Sequence, residues 1–243
     1  ATMDITLLEK RAEQVLARFD PGKTRAARQH RPFMIEFFGT PKSGKSTMKE
    51  VLKQFFDRNK YRVYAATEGA EAIRWRPRVE PDYNLRTAEY ALGEARDLCF
   101  QKSYHVGLFD RATFDAVMRM DLYREKGVLS PEQHAILEGY YLLPHNRKNL
   151  FDLHVCLVAS PEVAMQRELA KAITSKPGET MNPATLQSLL DAHKRIWDRL
   201  GCADDPSMIW HDSSLESEAE TAASIMSATL DAFERRLDTL PPL

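Results

Sequence analysis

The segment of residues 33–56, FMIEFFGTPKSGKSTMKEVLKQFF, contains the residues whose types and spacing most clearly serve chemistry. An apolar run leads into GTPKSGKS, which fits the pattern G-x-x-x-x-G-K-[ST] at Gly39, Gly44, Lys45 and Ser46. Glycines at these positions let backbone N–H groups turn inward as donors to phosphate oxygens, and the following helix adds its positive N-terminal end. The sequence therefore predicts that a nucleoside triphosphate binds at this loop.

Within this loop, residues 39–47, two side chains have expected roles of their own. Lys45 is expected to bridge the β- and γ-phosphates of ATP, and Ser46 to ligate Mg²⁺. The other residues are expected to surround the phosphates: Gly39, Thr40, Pro41, Lys42, Ser43, Gly44 and Thr47.

A second candidate follows the apolar run in YHVGLFDR, which ends in Asp110 and Arg111. In an open parallel sheet the C-terminal ends of the strands line the ligand crevice. We therefore expect Asp110 to reach Mg²⁺ directly or through water, and Arg111 to reach a phosphoryl group during its transfer. A surface ion pair at the end of the strand is the alternative.

Carboxylates also follow the run YRVYAAT, where Glu68 ends the strand-like segment and Glu71 comes one helical turn later. A carboxylate here can accept the proton of an acceptor hydroxyl, as general-base catalysis requires. A solvated acid in a loop is the competing interpretation.

Basic residues occur in SPEVAMQRELAKAITSKPGETMNP, where Arg167 and Lys171 are spaced i, i+4 on one helix face and Lys176 lies in a Gly/Pro segment. A hinged, basic stretch of this kind can close over phosphates and exclude water. The sequence predicts a lid over residues 165–182, although any exposed helix can carry the same charge pattern.

Alternating strands and helices must position these residues. Apolar runs predict five strands, in FMIEFF, YRVYAAT, YHVGLF, DLHVCLV and SMIWH. Helical spacing predicts helices between them, with N-cap and proline signals at Ser130-Pro131 and Asn182-Pro183. This alternation favours an α/β fold with a doubly wound, mainly five-stranded parallel sheet and helices on both faces. Residues 32–243 are predicted to form that domain, and residues 1–31 an accessory N-terminal helix with a basic linker.

Composition narrows the class of protein. The 243 residues carry a formal net charge of −1, which gives no global argument for nucleic acid or membrane partners. No apolar run approaches the ~18 residues of a membrane span. The three cysteines form no CxxC pair, which favours a reducing, cytoplasmic compartment. The sequence leaves open whether the chain forms a homodimer.

Five ordered segments resemble the deoxynucleoside kinase and thymidylate kinase group over residues 33–237: GTPKSGKST, TEGAEAIRW, FDRATFDAVMRMDLY, CLVASPEVAMQRELAK and LLDAHKRIW. The resemblance implies a P-loop kinase that uses ATP and Mg²⁺. It further implies that Glu68 is the catalytic base, Arg111 the catalytic arginine, and Arg167 and Lys171 lid residues.

The same resemblance implies which residues lie near the acceptor. In this group a helix packs beside the acceptor site, and the corresponding segment here contains Tyr83, Asn84, Arg86 and Arg96. Two arginines, Arg86 and Arg96, suit an anionic acceptor. The sequence departs from the group in three ways. Asp110 stands where deoxynucleoside kinases have Glu, TEGAE lacks their proline, and lysines replace lid arginines.

These features predict transfer of the γ-phosphate of ATP to a small-molecule acceptor, a nucleoside or nucleoside monophosphate. Two alternatives remain open. One is a kinase that acts on a nucleic-acid 5′ end or another hydroxyl compound, for which the basic segment KTRAARQHR is the support. The other is a nucleotide-switched ATPase or interaction protein.

Overall fold

The computed structural model describes residues 4–20, 30–74, 80–171 and 181–239, with Lys171 described by its backbone alone. Its helices and strands are, in chain order, α1 (Ile5–Phe19), β1 (Phe33–Gly39), α2 (Lys45–Arg58), β2 (Val63–Ala65), α3 (Gly69–Ala72), α4 (Pro81–Phe100), β3 (Val106–Asp110), α5 (Thr113–Glu125), α6 (Pro131–Leu142), β4 (Leu153–Val158), α7 (Pro161–Lys171), α8 (Pro183–Arg199), β5 (Met208–Asp212) and α9 (Glu218–Thr239). No helix within these ranges is both long and apolar enough to cross a membrane.

The five strands form one sheet in the order β2-β3-β1-β4-β5, and each neighbouring pair is parallel. Central strand β1 pairs with β3 and β4, so that Phe37 lies opposite Asp110 and Gly39 opposite Leu157. The predicted five-stranded, doubly wound α/β fold is confirmed. The sheet order places the loop after β1 at the middle of the C-terminal edge, where ligands bind in folds of this type.

Strand β1 is buried along its whole length because helices cover both faces of the sheet. Ile35 and Phe37 join the apolar cluster on one face, and Met34 and Phe38 join the cluster on the other. Successive side chains of a strand point to opposite faces. Glu36 therefore shares the face of Met34 and Phe38, which places a carboxylate within an apolar layer.

The helix start signals act as the sequence indicates. Ser130 and Gln133 form a reciprocal capping box at the start of α6. Asn182 accepts a hydrogen bond from the N–H of Thr185 at the start of α8. Helix α2 differs, because its N-cap is Gly44 and no side chain caps it. Its first N–H groups are thus available to a ligand.

Helix α1 packs on one face of the sheet together with α9. The Phe19 ring meets the Phe233 ring edge to face, with centroids 5.0 Å apart. Arg11 donates to Asp231 at 2.5 Å and to Glu234 at 3.0 Å, which ties the exposed sides of the two helices. The division of the chain at residue 31 stays a prediction. The buried side chains of α1 belong to the same cluster as Ile35 and Phe37 of β1: Leu8, Ala12, Val15 and Phe19.

Candidate active site

The loop between β1 and α2 requires its two glycines for different reasons. A Cβ on Gly39 would lie 1.8 Å from the carbonyl oxygen of Leu157 on β4, so no side chain fits there. Gly44 has open space around it but a φ of +100°, which L side chains rarely adopt. Lys42 also lies in the left-handed region, with φ +56°. Such residues curl the loop at the start of α2, a conformation in which successive N–H groups can act as donors to an anion.

Lys45 is buried at the start of α2 and is only 6% exposed. Its Nζ donates to the carbonyl oxygens of Thr40 at 2.7 Å and Gly39 at 3.3 Å. Burial, assisted by the nearby guanidinium of Arg111, lowers the pKa of Lys45 to about 8. A phosphate group at this position would favour the charged ammonium and so oppose that shift.

The ends of β4 and β5 support the rest of the loop. Thr40 Oγ1 accepts from the N–H of Ala159 at 3.0 Å, and the Ser43 carbonyl accepts from the Ser213 hydroxyl at 2.9 Å. Above the loop opens a cavity of about 560 Å³, here called the larger cavity. Seven consecutive loop residues line it: Pro41, Lys42, Ser43, Gly44, Lys45, Ser46 and Thr47.

Ser46 and Asp110 meet at the end of β3. The Ser46 hydroxyl donates to Oδ2 of Asp110 at 2.7 Å, and Asp110 is buried. Oδ1 of Asp110 is also buried and has no hydrogen-bond partner within the described ranges. A hydroxyl and a carboxylate with an unpaired oxygen are the hard ligands that Mg²⁺ prefers. These two residues therefore fit the predicted ion.

Arg111, in the turn after β3, contacts Glu68 across the site. Its Nη1 lies 3.3 Å from Oε1 of Glu68, and its Nε lies 3.8 Å from Oδ1 of Asp115 on α5. Burial raises the pKa of Glu68, although the charge of Arg111 acts against that change. Among the described residues that line the cavities of the site, Glu68 is present and Glu71 is not. Of the two candidate acids, only Glu68 thus faces the site.

A smaller cavity adjoins the larger one and shares Glu68 and Arg111 with it. Tyr83, Asn84 and Thr87 of α4 form its far wall. Its volume of about 30 Å³ holds about one or two water molecules. A molecule much larger than water fits here only if these walls move apart.

Two predicted residues lie elsewhere on α4. Neither Arg86 nor Arg96 is among the described residues that line the two cavities, and both are exposed. Arg96 donates to Oδ1 of Asn146 at 2.6 Å. At ~1.5 Å of rise per residue, Arg96 lies about 18 Å beyond Asn84 along the helix axis. The structure does not bring these two arginines to the site.

Helix α7 is docked on the loop through consecutive residues. Arg167 donates to the carbonyl oxygens of Lys42 at 3.1 Å and Ser213 at 2.8 Å. Glu168 pairs with Nζ of Lys42 at 2.7 Å. The side chain of Lys171, together with Lys176 and most of the predicted lid beyond α7, lies outside the described residues.

Glu36 is the residue next to the site that the sequence analysis does not single out. Its side chain is fully buried, yet it accepts hydrogen bonds from Ala112 N–H and the Thr113 hydroxyl, both at 2.8 Å. His154 Nδ1 also lies at 2.8 Å. The signal was present in FMIEFF, because an acid in the middle of a buried apolar run needs polar partners.

Comparisons with known proteins bear on the fold. No protein-family profile and no curated protein matches the sequence. Solved structures do match, among them deoxyadenosine kinase from M. mycoides with bound dCTP, at TM-score 0.56 and 16% identity. A second structure of that kinase, with products dCMP and a flexible dCDP bound, matches at TM-score 0.54 and 16% identity. Both matches cover 82% of this chain and 100% of the other.

At 16% identity the likeness establishes the fold. The chain has the P-loop α/β fold of deoxynucleoside kinase structures, as its sequence predicts.

Proposed function

We propose that this chain is an ATP-dependent phosphotransferase that moves the γ-phosphate of ATP to a hydroxyl group of a nucleoside or nucleoside monophosphate. The observation that carries the proposal is the 3.3 Å contact between Glu68 and Arg111 at the boundary of the two cavities. A carboxylate and a guanidinium at this boundary suit the needs of in-line transfer, which are proton acceptance and charge neutralisation. The fold shared with deoxyadenosine kinases supports the same class of reaction.

The larger cavity is the proposed site of ATP. Its loop offers the uncapped N–H groups of α2 to the phosphates, and Lys45 lies buried beside them. Arg167 adds a further cation from α7. Ser46 and Asp110 would hold Mg²⁺, which neutralises charge on phosphate oxygens when it is bound.

The proposed transfer is a single displacement. Glu68 takes the proton of the acceptor hydroxyl while the acceptor oxygen bonds to the γ-phosphorus. The bond from that phosphorus to its bridging oxygen breaks, and ADP leaves with the electron pair. Burial raises the pKa of Glu68 and so makes it a stronger base than an exposed carboxylate. Arg111 stabilises the charge on the group in transfer.

The smaller cavity is the proposed acceptor site, and its charges favour an uncharged nucleoside. Among the described residues that line it, Arg111 is the single cation, and it already contacts Glu68 and Asp115. A monophosphate would add negative charge beside two carboxylates without a further cation to pair with. Tyr83, Asn84 and Thr87 offer polar groups to such a nucleoside.

The test is transfer of label from [γ-³²P]ATP to a panel of nucleosides, nucleoside monophosphates and 5′-hydroxyl oligonucleotides. We expect the wild type to label a nucleoside. Glu68→Gln should label it ~10²–10⁴-fold more slowly, the usual contribution of a positioned base. Glu71→Gln is the matched control, because Glu71 is exposed one turn away, and it should match the wild type. A defect confined to Glu71→Gln would show that Glu71 is the base and that the assignment to Glu68 is wrong.

A nucleotide-switched protein is the second candidate. Its support is the small volume of the acceptor cavity, together with the direct contact of α7 with the phosphate-binding loop. It predicts ATP binding, and slow hydrolysis or none, with no labelled acceptor in the same assay. The basic segment that supports a nucleic-acid acceptor lies mostly outside the described residues, and the labelled oligonucleotides test that alternative directly.

A further inference from the structure

Glu36 is an ionisable residue in the layer beneath the proposed active site. It lies in the middle of β1 with no exposed surface. Four donors surround its carboxylate within 2.8–3.0 Å: Ala112 N–H, Phe114 N–H, Thr113 Oγ1 and His154 Nδ1. A carboxylate only accepts hydrogen bonds, so His154 must carry a proton on Nδ1 in this arrangement. A buried charge with this many donors is fully compensated.

Three of these donors belong to the start of α5. The N-cap of α5 is Ala112, which has no side chain able to cap the helix. Glu36 reaches across from the neighbouring strand and accepts from the first N–H groups in its place. It also brings negative charge to the positive end of the helix dipole. Glu36 therefore fixes the point at which α5 begins.

The turn fixed in this way is conformationally unusual. Arg111 has φ +69°, a left-handed conformation that is uncommon for a residue with a side chain. Such a conformation is strained and persists where the surroundings determine it. Here the Arg111 N–H donates to the Phe37 carbonyl at 2.8 Å, and the next residue, Ala112, donates to Glu36. Both anchors of the turn are on β1.

We propose that Glu36 is a positioning residue, which holds Arg111 in the orientation that faces Glu68 and the phosphate-binding loop. The proposal rests on the phosphotransfer function above. Glu36 itself is not among the described residues that line either cavity. Its effect on transfer passes through the Arg111–Ala112 turn, both of whose anchors are on β1.

The first test is Glu36→Gln, which keeps the shape of the side chain but places an amide donor among the four donors. We expect kcat to fall about 100-fold, the usual effect of a displacement of ~1 Å at a reacting group. The KM for ATP should not change, because the loop and Lys45 are untouched. Phe233→Leu, in the apolar cluster on the other face of the sheet, is the control for lost stability and should keep the wild-type kcat. An unchanged kcat in Glu36→Gln, or an equal loss in Phe233→Leu, overturns the proposal.

Thr113→Val removes a single donor to Glu36 and is the variant to use where Glu36→Gln does not fold. Its kcat should fall in the same direction by a smaller factor, again at constant KM for ATP. A kcat equal to that of the wild type would contradict the proposal.

A double-mutant cycle tests whether Glu36 acts through Arg111. In an Arg111→Ala background, Glu36→Gln should cost little further kcat, since the side chain that it positions is absent. If the kcat losses of the two single variants multiply in the double variant, Glu36 acts independently of Arg111 and the proposal is overturned.

A third measurement does not depend on turnover. The Arg111 Nε–H resonance in ¹⁵N NMR, assigned by its absence in Arg111→Ala, should shift in Glu36→Gln and stay in place in Phe233→Leu. An unshifted resonance overturns the positioning role. If the wild type labels no acceptor, the proposed function falls, and this resonance still decides the role of Glu36.

Discussion

Each charged side chain at the site is held by protein groups that a ligand would have to replace. Lys45 donates to the Thr40 carbonyl, Ser46 donates to Asp110, and Arg167 donates to Lys42. Binding of a triphosphate would therefore exchange internal hydrogen bonds for bonds to phosphate, and the affinity would reflect only the difference between them. The exchange matters most at Lys45, because its side chain is more readily charged beside a phosphate than beside the backbone carbonyls that it contacts in the free protein.

Binding of ATP at pH 8 should take up a proton at Lys45. Burial lowers the pKa of this side chain to about 8, so about half of it is neutral in the free protein at that pH. Phosphate stabilises the charged form and raises the pKa, so each binding event should take up about 0.5 proton. The affinity should fall correspondingly as the pH rises through 8. Calorimetry of ATP binding in two buffers of different ionisation enthalpy measures this uptake.

Lys45→Arg is the matched control for this titration. Its guanidinium stays charged at every pH of the experiment, so the uptake at pH 8 should disappear. Equal proton uptake in the variant and the wild type would show that another group titrates.

The residues of the site differ in how far the sequence alone could predict them. Lys45 and Ser46 belong to one contiguous motif, whose geometry is local. Glu68 and Arg111 lie at the ends of different strands, and they meet because the sheet places β2 beside β3. Glu36 could not be assigned a role from the sequence, because its hydrogen-bond partners come from two other elements.

At the scale of elements, periodicity predicts which helices form more reliably than which face of a helix meets the ligand. The strands were predictable because buried apolar runs are bounded by loops. Helix α4 was predicted to bring arginines to the acceptor. Instead, the face with Tyr83, Asn84 and Thr87 lines the cavity, and Arg86 lies on another face. The phase of a helix depends on where it packs, which its own residues do not determine.

Helix α7 gives a prediction at this scale, because its Glu168 pairs with Lys42 and would compete with a bound phosphate for it. The Lys42–Glu168 ion pair is 2.7 Å long and partly exposed. Glu168→Gln should free Lys42 and remove a negative charge beside the phosphates. We expect the Kd for ATP to fall roughly twofold to fivefold, the range for an exposed ion pair. The gain should shrink as salt is added. Titration of ATP at two ionic strengths measures both effects.

Glu162→Gln on the first turn of α7 is the control for this variant. The Glu162 carboxylate has a hydrogen bond to Ser160 and is not among the lining residues of either cavity. Its ATP affinity should equal that of the wild type. Weaker ATP binding by Glu168→Gln would indicate that the ion pair supports the loop instead of competing with the ligand.

At the scale of the whole molecule, the first and last helices stabilise each other. Arg18 near the end of α1 donates to Asp238 near the end of α9 at 2.6 Å, and the Phe19 ring meets Phe233. The sequence predicts a helix within residues 1–31, and α1 lies there. Its partner could not be predicted, because the two helices come from opposite ends of the described chain and meet only in the folded structure.

Phe19→Ala should therefore unfold the protein more easily without weakening its site. Phe19 is only 1% exposed in a packed cluster, and such truncations cost ~3–5 kcal/mol. For a chain of this size we expect the Tm to fall by about 10 °C or more, measured by calorimetry. Leu7→Ala is the matched control on the same helix, since Leu7 is 56% exposed and its truncation should change stability by less than ~0.5 kcal/mol. ATP affinity at 20 °C should be the same in both variants, because α1 contributes no described residue to either cavity. A Phe19→Ala protein with the wild-type Tm would show that α1 is an appendage. A Phe19→Ala protein that is folded at 20 °C but has lost ATP binding would show that α1 influences the loop.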